Sequence, residues 1–82
     1  MTPINKIKYK DLQAYLEGQS CFGLLASRRK HTIIYTFERY YNSKRKLTLK
    51  VKVMRTTKYV MSVKIRETVY TDYDELKAEI ER

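Results

Sequence analysis

The sequence predicts an α+β fold: a four-stranded antiparallel β-sheet (a meander) flanked by an N-terminal and a C-terminal α-helix, in the order α-β-β-β-β-α. Three observations lead there. Residues 47–53 alternate strictly, with Leu47, Leu49, Val51 and Val53 on one side and Thr48, Lys50 and Lys52 on the other. That is the period of a half-buried strand. Residues 59–66 alternate again. Both ends of the chain instead space their apolar residues by three and four, as an amphipathic helix does.

The elements follow in order. Tyr9, Leu12, Tyr15 and Leu16 lie at helical spacing and Gly18 follows where a helix C-cap belongs, so a helix is expected over about 8–17. The run "SCFGLLAS" is mostly apolar and reads as a buried strand, with "SRRKH" as the turn after it. "TIIYTFERYY" is rich in β-branched and aromatic residues, and "NSKRK" supplies a polar turn. "LTLKVKVMR" is the third strand. After a turn near Thr56 and Thr57, "YVMSVKIRETV" is the fourth. There Tyr59, Met61, Val63 and Ile65 are expected on one face, with Ser62, Lys64 and Arg66 opposite. In "YTDYDELKAEIER", Asp72 and Glu75 fit a capping box. Tyr73, Leu76 and Ile80 form the apolar stripe of a helix over about 72–81.

Register follows from the apolar pattern, because a slip of one residue exchanges the faces. Pairing positions that sum to 86 sets Phe37 against Leu49, Tyr35 against Val51 and Ile33 against Val53. A sum near 112 sets Leu49 against Val63 and Val51 against Met61. The apolar side of the sheet is expected under the two helices. The opposite face then gathers Lys46, Lys50, Lys52, Lys64 and Arg66, with Thr36, Tyr40, Thr48 and Ser62 among them.

The chain has 82 residues, expected to form a single domain over 1–82. A chain of this size buries only about 60% of its unfolded surface, which disfavours a deep enclosed active site. One cysteine, Cys21, cannot form an internal disulfide. No apolar run reaches signal-peptide or membrane-span length. The expected location is therefore cytoplasmic, with no membrane contact.

Charge is the most informative feature. The formal net charge is +9, and it is unevenly placed. Residues 28–66 hold 13 Lys and Arg against a single acid, Glu38. The last 16 residues hold six acids against Lys77 and Arg82. Phosphate binding needs several cations on one surface, because each neutralised phosphate releases counterions. Interleaved tyrosines add stacking surface for bases. A few lysines on a sheet would be explained by solubility and edge protection alone; 13 against one is more than that role needs.

The expected function is a small basic binding module, not an enzyme. It would bind nucleic acid, DNA or RNA, through its Lys/Arg-rich sheet face and basic hairpin turns. The candidate residues are Arg28, Arg29, Lys30, Tyr40, Lys44, Arg45, Lys46, Lys50, Lys52, Lys64 and Arg66. The alternative is a phage or mobile-element inhibitor that docks on an acidic patch of a host protein or ribonucleoprotein. Small size, high Lys, Ile and Tyr content and the lack of catalytic motifs suit that class.

A third reading is a toxin-like RNase. His31, the only histidine, sits beside "RRK" and could act as the general base of a metal-independent nuclease; an ordinary exposed turn histidine is the commoner reason for such a residue. Cys21 reads as a small buried hydrophobe. One Cys and one His do not make a zinc site, and Asp72, Asp74, Glu75, Glu79 and Glu81 read as solvated helix charge. No glycine-rich phosphate loop, nucleophile elbow or paired-cysteine motif is present. No cofactor, metal or catalytic residue is expected.

The order of helix, antiparallel sheet and helix resembles double-stranded-RNA-binding domains. Those domains carry a lysine cluster at the start of the second helix, where this chain has the acidic "TDYDEL", so no binding residue carries over. "KDLQAYLEG" is similar to the first helix of small toxin RNases of the HicA type, and His31 falls on the strand side where they place a catalytic histidine. Their Gly-Ser-His signature is replaced here by Arg29, Lys30 and His31.

Overall fold

The alternating residues 47–53 form the centre of the sheet. The computed structural model describes residues 1–82. It places α1 at Tyr9–Gly18, β1 at Phe22–Arg28, β2 at Thr32–Tyr40, β3 at Lys46–Met54, β4 at Val60–Ile65, β5 at Thr68–Tyr70 and α2 at Tyr73–Ile80. A single 3-10 turn, Ile4–Lys6, precedes α1. The fold is α+β, with one antiparallel sheet in the order β1-β2-β3-β4-β5. It has five strands where the sequence predicts four.

The extra strand comes from a chain reversal at Arg66 and Glu67. Ile65 pairs with Thr68, so only these two residues form the connection. Arg66 takes a left-handed backbone, with φ 56°. Such turns normally carry Gly, Asn or Asp, so the sequence shows no turn signal there. Arg66 therefore lies in a turn at the end of the sheet and not on its face.

The β2–β3 register is the one that sums to 86, with Phe37 opposite Leu49, Tyr35 opposite Val51 and Ile33 opposite Val53. The β3–β4 register differs from the expected one. Leu49 faces Ile65 and Val51 faces Val63, but Val53 faces Val60, with a register shift next to Lys52. Met61 is the surplus residue of this bulge, which moves Val60 into the core in place of Tyr59 and Met61. Two apolar residues in sequence, Val60 and Met61, made either choice compatible with alternation.

The core lies between the sheet and the two helices. Leu49, Val51, Val53, Val60, Val63 and Ile65 are fully buried against Leu12 and Leu16 of α1 and Leu76 and Ile80 of α2. Tyr9 stacks on Tyr35 with ring centroids 3.9 Å apart, and burial pushes its hydroxyl pKa up to about 12. The N-terminal segment closes one side. Ile4 is buried, its N–H donates to the Thr71 carbonyl at 2.8 Å, and the Ile7 carbonyl accepts the Val60 N–H at 2.9 Å.

α1 ends later than expected. The left-handed residue is Ser20, φ 63°, and not Gly18. Cys21 N–H bonds the Leu16 carbonyl and Ser20 N–H the Glu17 carbonyl, the Schellman pattern with buried Cys21 against buried Leu16. Burial also pushes the Cys21 thiol pKa up. At α2, Asp72 caps the helix by accepting the Glu75 N–H at 3.1 Å and also holds the Thr2 N–H at 2.9 Å.

β1 is the main departure. Expected as a buried strand, it is an edge strand whose seven residues are all exposed. The two helices are short and cover only the inner strands, so β1 overhangs them. Its register shifts at Leu24, between Gly23 and Leu25.

Arg39, on the inner face of β2, joins both helices to the sheet. Its guanidinium donates to the Ile80 carbonyl at 2.8 Å and the Gln19 carbonyl at 3.3 Å, and lies over the Tyr41 ring. These carbonyls sit at the negative ends of α2 and α1. The Arg39 Nε is enclosed without a partner, a local cost of the arrangement.

Two stability measurements check this packing. Val51→Ala is expected to lower unfolding free energy by about 1–3 kcal/mol, from lost apolar contact and a residual cavity, and Lys52→Ala to leave it almost unchanged. Equal urea midpoints for the two would show that the strand faces are reversed. Arg39→Met is expected to cost about 2 kcal/mol or more, the worth of a charged hydrogen bond or two. Arg39→Lys should restore little of it, because a point charge cannot reach both helix ends.

Candidate functional site

Hydrogen-bonded pairing on β2, β3 and β4 fixes which side chains share the outer face. Thr36, Lys50 and Lys64 form one row across three strands, followed by Val69 on β5. Ile34, Lys52 and Ser62 form the next row. Lys50, Lys52 and Lys64 are exposed. None of them takes part in the four ion pairs of the molecule. Lys50 and Lys64 stand directly opposite each other, a like-charge pair that disfavours the folded state.

Lys46 behaves differently. It is ion-paired with Glu38 at 2.5 Å, and Tyr40 donates its hydroxyl to the same carboxylate at 3.2 Å. Glu38 lies on the outer face, yet only 8% of it is exposed. The Lys46 ammonium, and secondarily the Tyr40 hydroxyl, hold its pKa below the ordinary glutamate range, and Lys46 is raised in return. Lys46 is therefore already neutralised, while the trio beyond it is not.

The basic turns fall at the two ends of the sheet. Arg28, Arg29 and Lys30 sit at the β1–β2 turn, closed by the Arg29 N–H on the Thr32 carbonyl at 2.8 Å. Arg55 joins them from the β3–β4 turn: its N–H bonds the His31 carbonyl at 3.0 Å and its guanidinium the Arg29 carbonyl at 3.2 Å. The sequence reading missed Arg55, because only pairing shows that these two turns meet. At the other end, the Asn42 side chain accepts the Lys44 and Arg45 N–H groups at 2.8 and 2.9 Å and shapes the β2–β3 turn. Arg45 there lines a groove with Tyr41, Leu47, Arg66, Glu79 and Arg82.

The sequence reading also missed Phe22. It pairs with Glu38 across the β1–β2 ladder, so its ring shares the outer face, and 59% of it is exposed. Tyr40, two residues beyond Glu38 on the same face, is 65% exposed. The helices carry a smaller, net negative charge, with Asp11 and Glu17 against Lys10 on α1 and Asp74, Glu75 and Glu79 against Lys77 on α2. The α2 acids do not converge with other metal-ligating side chains. No helix is long and apolar enough to cross a membrane.

Comparison with protein-family models, curated proteins and solved structures finds no match for this chain.

The Glu38–Lys46 pair has a pH signature. A depressed glutamate contributes stability above its unfolded pKa of about 4.3, lost as pH falls through the folded value; a raised lysine contributes below about 10.4. Glu38→Gln is expected to be less stable than the parent between those limits. The difference should begin to narrow as pH falls below about 4.3. Thermal melts of both proteins across pH check it, and a difference that does not narrow at all as the pH is lowered into the acid range would assign it to packing.

Proposed function

We propose that the chain is a non-enzymatic module that binds nucleic acid with its outer sheet face and the basic turns at the sheet ends. The observation that carries this reading is the row Lys50–Lys64 with Lys52 beside it: three exposed cations on adjacent strands, two directly opposed, with no acid paired to any of them. Like charges held face to face cost the fold something in isolation. A polyanion turns that cost into affinity by releasing its counterions. Arg28, Arg29, Lys30 and Arg55 extend the footprint at one end, and Lys44, Arg45 and Arg66 at the other. Acids on the helical side orient the molecule, with the sheet face toward the polyanion.

A second reading is docking on an acidic protein surface, as a mobile-element inhibitor would do. What favours it is the apolar edge beside the basic face: Leu24 and Leu25 on β1 are 55% and 62% exposed. Exposed apolar side chains next to charge are usual in protein interfaces.

Salt dependence separates the two. With three or four phosphate contacts, log K for nucleic acid should fall with log salt at a slope of about −2 to −4. Replacing Lys50 and Lys52 with Ala should reduce that slope by about 1.4 on a single strand or 1.8 on a duplex. A docking protein would instead lose mainly association rate from the lysines, with its affinity resting on central anchors. No binding to single- or double-stranded DNA or RNA at about 50 mM salt would overturn the nucleic-acid reading and leave the acidic-protein surface.

A further inference from the structure

We propose that the ligand of the outer face is single-stranded nucleic acid, with Phe22 and Tyr40 as stacking platforms for its bases; the inference rests on the nucleic-acid reading above. The shape of the face argues against a duplex. Five strands about 4.8 Å apart span roughly 19 Å, wider than the ~12 Å major groove. No helix or hairpin stands out from this face to enter a groove, so a duplex would be touched only along one line of phosphates. A single strand can lie flat on the same surface and present both its phosphates and its bases.

The aromatic residues are placed for that. Phe22 on β1 pairs with Glu38 on β2, and Tyr40 follows two residues later on the same face. Cross-strand diagonal neighbours lie about 7 Å apart, within reach of large rings. Both rings are more than half exposed, at 59% and 65%. Glu38 between them is closed off by Lys46 and the Tyr40 hydroxyl. Its charge is thereby neutralised at the point where a base would stack. That explains how the only acid of the basic region can sit in the interface without repelling a polyanion.

The cations are one step away. Along a strand, same-face residues are about 6.8 Å apart, so the Thr36–Lys50–Lys64 row lies that far from the Glu38 row. A base stacked on Phe22 would carry its flanking phosphate toward Lys50. Stacking on exposed aromatics is tolerant of sequence because every base has a π-face, so binding with little base preference is expected.

The test is a set of anisotropy titrations at one low salt concentration. The probes are labelled oligothymidine, labelled oligouridine and a duplex of equal length. The proteins are the parent, Phe22→Ala, Tyr40→Ala and Tyr40→Phe, each checked for an unchanged melt. The single strands should bind more tightly than the duplex. Phe22→Ala and Tyr40→Ala should each weaken single-strand binding about 5- to 150-fold and change duplex binding little. Tyr40→Phe, which keeps the ring, should retain most of the affinity. Equal or tighter duplex binding overturns the proposal and leaves nucleic-acid binding standing. So does single-strand affinity that falls with the Lys50/Lys52 pair but ignores both rings. Loss of all nucleic-acid binding in the parent protein overturns both readings.

Discussion

Both helices are tied to the sheet through one side chain, Arg39. Its guanidinium reaches the C-terminal carbonyls of α1 and α2 from the inner face of β2 and rests on Tyr41. A planar fork with several donors suits this task, because two helix ends can share one charge. The clamp brings the acidic helical layer and the basic sheet together at one end. The apolar stripes of the helices then settle over β3 and β4. Since α1 and α2 are only ten and eight residues long, nothing remains to cover β1. The bare outer face and the overhanging edge strand are thus two results of the same short helical layer.

That layering also separates charge. A small sheet covered on one side has one wet face, and here the wet face carries cations while the acids, Glu67 of the β4–β5 turn apart, lie mostly on or beside the helices. The exception, Glu38, shows how local the balance is. It draws Lys46 and Tyr40 to itself, and the cations two and four strand positions further along remain free. The free positive charge of this surface depends less on the total of +9 than on which lysines have an acid within reach.

Much of this was legible before the structure. Strict alternation in residues 47–53 fixed the faces of β3. The apolar pairing of Phe37 with Leu49 fixed its register against β2. The stripes of Leu12 and Leu16 and of Leu76 and Ile80 located both helices. What escaped depended on backbone conformations that the residues do not announce. Arg66 and Ser20 occupy left-handed positions usually given to glycine. Neighbouring Val60 and Met61 hid a bulge, and the apolar run in β1 looked buried because burial depends on what lies opposite. The same applies to the site. The lysine trio could be read from the pattern. The loss of Lys46 to Glu38, the meeting of Arg55 with Arg29, and the exposure of Phe22 needed three-dimensional pairing.

The overhang of β1 has a dynamic consequence. The strand is secured by its ladder to β2 and by little else, with neither of its faces packed. Segments with few buried apolar contacts open at low free energy, well below that of global unfolding. Amide hydrogens of β1 should therefore exchange ahead of those in β2 and β3, while the lysine-bearing strands stay closed. The bulge at Leu24 interrupts the free edge, a device that limits edge-to-edge association of such strands. A mobile margin beside a rigid charged centre would let the Phe22 ring adjust to the proposed single strand without disturbing the core, and slowed exchange in β1 would report that contact residue by residue.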